Sequence, residues 1–352
     1  MAESVKVLVV DDSAYMRVVL KDILDSEPGL LVVDTARDGF DAIEKVKRLS
    51  PDVVLLDIQM PKMDGIATLQ RIMRERPTRV VMLSAMDKVD DQLPLRALEC
   101  GAVDFISKPS GPVSIDIVMF KTRIAEIVRN ASMARLDALT RMRGAQPQKL
   151  HLTTTRRGPP TGARAVLIAA STGGPRALES IFATLPRTVD VPLFVVQHIP
   201  EEFSISFVKR LNSARGPKVV LAEDGMEVTS DRAYLAPGGR HMRLNRGDGA
   251  RLVIKLDDGE PVRFVRPSAD VLFKSAVEVL HGNILAVVLT GMGSDGADGA
   301  LAVKRAGGRV VVQDEETSVI FGMARAAIDL EAADKALPLE EIPKEILRYM
   351  EE

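Results

Sequence analysis

The stretch that most limits what this chain can become is Arg164 to Ile181, RAVLIAASTGGPRALESI. The apolar run Ala165 to Ala170 halts at Ser171-Thr172-Gly173-Gly174, and Pro175 opens a helical pattern. A short apolar run bounded by glycines reads as a strand covered on both faces, the kind found in parallel sheets flanked by helices. A strand, a tight turn and a helix in succession aim the turn at the carboxyl edge of the sheet, where such proteins place their ligands. Proline at the first helical position after two glycines leaves backbone N–H groups pointing outward, which suits an anion or a developing oxyanion. Ser171 is therefore either a nucleophile or a helix cap, and for a serine ahead of a helix the cap is the commoner role.

Strand and helix patterns also alternate from residue 5 to about 125. The apolar runs Val5 to Val10, Leu30 to Ala36, Val53 to Leu56, Val80 to Leu83 and Val103 to Ile106 predict five strands, and the amphipathic segments between them predict right-handed crossovers and a parallel sheet. Asp11 and Asp12 follow the first strand, Asp57 the third, Ser84 ends the fourth and Lys108 lies just past the fifth. Three carboxylates meeting at one edge repel unless a cation lies between them, and an all-oxygen donor set points to a hard ion, magnesium first. With a lysine and a hydroxyl added, the set would cradle a phosphoryl group that an aspartate oxygen accepts. Taken singly, each of these residues reads as a solvated loop side chain.

Between the two alternating regions a helical pattern begins at Ile115 and extends toward Met142. It is followed by the polar and basic segment HLTTTRRGPPTGAR. Such a composition cannot bury enough apolar surface to order itself and predicts a flexible linker. The expected organisation is residues 1–125 as the first domain, 126–163 as helical extension and linker, and 164–352 as the second domain. A net charge of −2 over 352 residues argues against a general nucleic-acid binder. The single cysteine, Cys100, cannot form an internal disulfide. The start MAESVKVLVV lacks the basic and apolar regions of an export signal, and no apolar run reaches the ~18 residues of a membrane span. The expectation is a cytoplasmic protein that does not insert into membranes.

In the second domain, strands are predicted at Ala165 to Ala170, Pro192 to Val196, Lys218 to Leu221, Ala233 to Ala236, Ile284 to Leu289 and Arg309 to Val312. Met242 to Asn245 and Arg251 to Leu256 flank RGDG and form a hairpin. No Walker loop or dinucleotide fingerprint follows the first strand. Ser171, His198 (after PLFVVQ) and Asp295 (in GMGSDG) each lie just past a strand end, and if those strands are neighbours they form a nucleophile, a base and an orienting acid for acyl transfer. A serine hydroxyl needs an imidazole to take its proton, and the ring needs a carboxylate to hold it. Backbone N–H groups at Met292 or after Ser171 would supply an oxyanion hole. His241, in APGGRHM, competes with His198 for the role of base. Asp298 and Asp224 compete with Asp295, while His151 and His281 read as solvated.

The first domain closely resembles the receiver domain of response regulators, in VVDDS (Val9 to Ser13), LLDIQMPKMDG (Leu55 to Gly65), Ser84-Ala85 and ISKP (Ile106 to Pro109). The resemblance implies a flavodoxin-like five-stranded sheet in which Asp57 accepts phosphate from a chemotaxis histidine kinase. Asp11, Asp12, Asp57 and the backbone carbonyl of Gln59 would hold Mg2+. Lys108 would hold the phosphoryl oxygens, and Ser84 and Phe105 would form the switch pair; phenylalanine where tyrosine is commoner leaves packing as the means of switching. The second domain resembles the catalytic domain of the chemotaxis protein-glutamate methylesterases, in AASTGGP, VVQHIP, LAEDG, YLAPGGRHM, RPSADVLF, LTGMGSDGA and VQDEETSVIFGM. That resemblance implies a doubly wound, mainly parallel α/β domain with Ser171 as nucleophile, His198 as base and Asp295 as orienting acid. It further implies Met292 at the oxyanion hole, Thr172 supporting the histidine, and no cofactor for hydrolysis. Arg266 and Ala324 depart from the family pattern. The expected reaction is removal of methyl esters from glutamates of methyl-accepting chemoreceptors, with methanol leaving, and deamidation of receptor glutamines. A transcriptional regulator with a helix-turn-helix output and a non-catalytic receptor-binding scaffold are the other classes to separate from it.

Overall fold

A computed structural model describes residues 4–84, 93–108, 115–139 and 164–352. The chain divides into two compact units, Met1–Arg143 and Gly144–Glu352.

The first unit alternates β1 (Val5–Val10), α1 (Ala14–Asp25), β2 (Leu30–Ala36), α2 (Gly39–Leu49), β3 (Val53–Asp57), α3 (Gly65–Glu75), β4 (Arg79–Ser84), α4 (Leu93–Cys100), β5 (Asp104–Ser107) and α5 (Ile115–Met133). All pairings are parallel, in the order β2-β1-β3-β4-β5. Val7, Leu8, Val9 and Val10 of β1 and the apolar run Val53 to Leu56 of β3 are completely buried, as a sheet covered on both faces requires. Local chemistry starts the helices: Ser13, Asp38 and Asp64 each accept a hydrogen bond from a first-turn N–H of α1, α2 and α3. The helical pattern predicted to run toward Met142 stops at Met133. There the Ala134 carbonyl accepts from Arg79 Nε at 2.8 Å, which ties this end of the helix to β4. A short helical turn follows at 136–139. The rest of the predicted linker, residues 140–163, lies outside the described residues.

The second unit contains β6 (Ala165–Ala170), α6 (Gly174–Thr184), β7 (Leu193–Gln197), α7 (Ser204–Ser213), β8 (Lys218–Leu221), β9 (Arg232–Leu235), β10 (His241–Arg246), β11 (Leu252–Asp257) and α8 (Ala269–Leu280). After these come β12 (Ile284–Val288), α9 (Ala297–Arg305), β13 (Arg309–Gln313), α10 (Met323–Asp329), β14 (Lys335–Leu337) and α11 (Ile342–Glu351). Seven strands form one parallel sheet in the order β14-β13-β12-β6-β7-β9-β8. The doubly wound architecture expected from the alternation is therefore present. β10 and β11 form the expected antiparallel hairpin apart from that sheet. Sequence reading missed β14, an edge strand too short and too exposed to show a buried apolar run.

From β6 the chain winds outward through β7 and then returns to build β12, β13 and β14 on the other side. The direction of winding reverses between β6 and β12, and the crevice at the carboxyl ends of such strands is where open α/β sheets bind ligands. The three loops singled out by sequence all open at this point.

Candidate active site

Parallel register sets the first contact. Ala170 is paired with Gln197, so Ser171 and His198 are the next residues of adjacent strands. Neighbouring strands lie about 4.8 Å apart, which makes the two side by side at the sheet edge. The His198 N–H donates to the Ala170 carbonyl at 3.1 Å, and the Ser171 N–H donates to the Thr290 carbonyl beyond β12 at 3.1 Å. The buried Gln197 amide donates to the carbonyls of Ser171 (3.0 Å) and His198 (3.2 Å), which stiffens both turns. Ser171 is thus held between β7 and β12.

The capping alternative for Ser171 is corrected by the turn that follows it. Helix α6 begins at Gly174 with Gly173 as its N-cap, no side chain caps it, and Pro175 falls one residue later than expected. Gly173 has φ +80°, and a Cβ there would lie 2.7 Å from Val319; a Cβ on Gly174 would lie 2.8 Å from that of Ala170. Only glycine fits this tight return, and it leaves the Ser171 side chain outside the helix.

His198 Nε2 and Asp295 Oδ2 are 2.9 Å apart. Asp295 also accepts from the Ser268 hydroxyl and from the backbone N–H groups of Ala269 (2.7 Å) and Asp270 (3.2 Å). The carboxylate thereby caps the N-terminus of α8, whose own N-cap residue, Ser268, makes no side-chain cap. Burial alone would push this carboxyl up. The hydrogen bond and charge of His198, with Ser268 and Ala269 adding to them, outweigh burial and hold it below the usual aspartate range. Asp295 is therefore an anion in a nearly closed site, 3% exposed, while the His198 side chain stays 12% open.

The competing residues are used elsewhere. His241 is buried, with Nδ1 accepting from the Ser268 N–H (3.1 Å) and Nε2 bonded to the Glu260 carbonyl (3.1 Å), so its ring steadies Ser268 and has no nitrogen left for Ser171. Asp224 accepts from the Leu256 N–H and pairs with Lys255 on the hairpin. Asp298, in the first turn of α9, pairs with Arg263. His281 is exposed at the end of α8, and His151 lies outside the described residues.

After β12, Gly291 presses on the serine: a Cβ there would stand 2.7 Å from the Ser171 Cβ and 2.3 Å from Met323 Sδ. The Gly291 carbonyl accepts from the N–H groups of Gly322 and Met323. Among the described residues the neighbouring Met292 N–H meets no acceptor. Thr172, directly after the serine, is buried, and its carbonyl accepts from the Thr290 hydroxyl at 2.9 Å. Arg266, one of the departures from the family pattern, holds the carbonyls of Asp258 and Gly259. Sequence reading assigned no role to Ser268 or to the α8 N-terminus. The motif SAD ahead of an apolar helix did signal a helix start, but nothing local says that a remote carboxylate sits on it.

The first unit gathers its own acids. One carboxylate oxygen from each of Asp11, Asp12 and Asp57 lies within 4.8 Å of the others. Lys108 Nζ stands 2.7 Å from Asp11 and 2.8 Å from Asp57. Burial pushes the Asp57 carboxyl up to about 6 despite Lys108, and the charge of Asp11 adds to the rise. Ser84 and Phe105 are buried on β4 and β5, and the Ser84 carbonyl accepts from the Lys108 N–H at 2.7 Å. A cluster of oxygen donors with excess negative charge fits a hard divalent cation.

Together these features define a class: a receiver-type domain joined to a parallel α/β output domain that carries serine, histidine and aspartate at one sheet edge. A family model described as CheB methylesterase matches residues 166–346, and one described as response regulator receiver domain matches residues 7–118. The chain belongs to the CheB methylesterase family. A Pyrococcus horikoshii protein named protein-glutamate methylesterase/protein-glutamine glutaminase is 43% identical, the match covering 100% of this chain and 95% of the relative. A Bordetella parapertussis protein of the same name is 44% identical, over 98% of this chain and 97% of the relative. Among solved structures, the Thermotoga maritima CheB methylesterase catalytic domain is 39% identical with a TM-score of 0.52, covering 53% of this chain and 99% of that one.

Proposed function

We propose that this chain is a phosphorylation-controlled serine hydrolase that removes methyl esters from glutamate side chains of methyl-accepting chemoreceptors and deamidates receptor glutamines. The observation that carries the reading is His198 bonded to a buried, anionic Asp295 and set beside Ser171 by strand register. Ser171 Oγ attacks the ester carbonyl carbon while His198 takes its proton. Because Nε2 is bonded to Asp295, Nδ1 is the nitrogen that receives it. The oxyanion forms against the Met292 N–H, and Thr172 supports the histidine. Collapse expels methanol, which takes the proton back from His198. Water then adds to the acyl-Ser171, its proton passes to His198 and on to the Ser171 oxygen, and the free glutamate leaves. For glutamine, ammonia departs in place of methanol.

Control acts through Asp57, which takes a phosphoryl group from a chemotaxis histidine kinase. Asp11, Asp12, Asp57 and the Gln59 carbonyl would hold Mg2+, whose chemistry is to offset the charge of the incoming phosphoryl group. Lys108 pairs with its oxygens, and Ser84 and Phe105 report it by repacking. The receptors' cytoplasmic helices and the kinase place the reaction in the cytoplasm; among the described residues no helix is long and apolar enough to cross a membrane.

Ser171→Ala tests the reading. Methanol release from methylated receptor membranes is expected to fall by about 10⁴-fold or more while phosphorylation of Asp57 continues. Retained turnover would reject the nucleophile.

A further inference from the structure

Val262 and Val265 exchange two backbone hydrogen bonds, 3.1 and 3.0 Å, and close a two-residue turn. Its central residues, Arg263 and Phe264, both have positive φ, +52° and +65°. This is the signature of a type I′ turn, which asparagine and glycine fill without strain and a bulky side chain does not. Backbone strain of this kind persists where its surroundings over-determine it, and it clusters at functional sites. Phe264 is also 92% exposed, whereas no other large apolar side chain among the described residues exceeds 61%.

The turn is fastened to the catalytic rim. Arg263 donates to Ser294 Oγ at 2.8 Å and to Asp298 Oδ2 at 2.6 Å, on either side of Asp295, and to Asp270 Oδ2 at 3.3 Å. These acids neutralise the guanidinium, so the turn ends in an uncharged phenyl ring beside the cleft.

We propose that Phe264 is a substrate-docking residue: it packs against an apolar side chain of the receptor segment that carries the esterified glutamate. This rests on the methylesterase reading above and extends it to the choice of substrate. The ester group itself fills the cleft. Whatever reaches a ring on the rim belongs to the polypeptide bearing it. A rigidly held aromatic that becomes desolvated on contact is the usual anchor of a protein–protein contact. The ring thereby separates a glutamyl ester on a receptor from a free one.

The test is Phe264→Gly in the full chain, read on two reactions: methanol release from methylated receptor membranes and labelling of Ser171 by a small serine-directed phosphonate. Glycine accepts the backbone conformation, so thermal stability holds or rises. KM for receptor is expected to rise about tenfold with kcat and labelling rate within about twofold, and Phe264→Tyr to restore KM. An unchanged KM overturns the proposal, as does a parallel fall in labelling, which would place the ring in the cleft chemistry instead. If wild type is labelled yet releases no methanol from receptors, the substrate reading itself has failed and this proposal falls with it.

Discussion

Ser268 donates its hydroxyl to Asp295 beside two N–H groups of the α8 N-terminus, so three of the four partners of that carboxylate come from one turn of helix. Ser268→Ala should let Asp295 protonate more easily and loosen the ring it holds. We expect kcat to fall by about tenfold with KM nearly unchanged, since the bond steadies a group that acts on the transition state. An acid whose native pKa is depressed adds stability above its unfolded value, and that stability is lost as pH falls through the native value. The acid-unfolding midpoint of the variant, followed by circular dichroism, should therefore move to higher pH. Asp57 has the opposite sign. Its carboxyl ionises less readily in the fold than in the unfolded chain, so it costs stability as pH rises from about 4 to 6 and throughout above 6. In metal-free buffer at pH 7, Asp57→Asn should stabilise the first unit by roughly 1 to 3 kcal/mol. The gain should vanish near pH 4 in denaturant titrations. A destabilised variant at pH 7 would mean that the bond to Lys108 outweighs the burial of charge.

Two glycine-bounded turns, after β6 and after β12, do for the site what no single side chain does. Gly173 and Gly174 let α6 start without drawing Ser171 into the helix, and Gly291 lets the turn after β12 close against the Ser171 side chain. A methyl group at Gly291 must displace Met323 or the Ser171 strand end. Gly291→Ala should therefore lower kcat by about 100-fold, the scale of losing an oxyanion donor, while receptor binding changes little. Steady-state methanol release that stayed within a few-fold of wild type would show that this turn does not set the oxyanion geometry. Both turns carried visible sequence signals, STGGP and TGMGSDG. The start of α8 carried only half of one: its serine and aspartate announce a helix, and the carboxylate they bind lies more than two dozen residues further along the chain.

Each of the two units has its own sheet, so the second should fold without the first. If the unphosphorylated receiver restrains the hydrolase, a fragment starting near residue 150 should turn over faster than the whole unphosphorylated chain, and a phosphodonor with Mg2+ should raise only the latter. A few kcal/mol between the two states is enough to change which dominates. Equal rates for fragment and whole chain would remove inhibition by the receiver and leave the chemistry of Ser171 untouched.

Alternation of apolar runs with amphipathic segments was enough by itself to determine a pair of parallel α/β sheets. Strand ends marked by Ser171, His198, Asp295 and Asp57 were enough to name the residues at their carboxyl edges, because burial on two faces and the chemistry of turns are local properties of a few residues. Which strands lie together is not local. The order β12-β6-β7 and the pairing of Ala170 with Gln197 arise from packing between segments far apart in the chain. That packing put Asp295 rather than Asp298 on His198 and turned His241 toward Ser268 instead of Ser171. It also left Phe264 exposed on a strained turn, a feature that composition and periodicity do not register, because strain is a property of the backbone conformation the neighbouring elements impose.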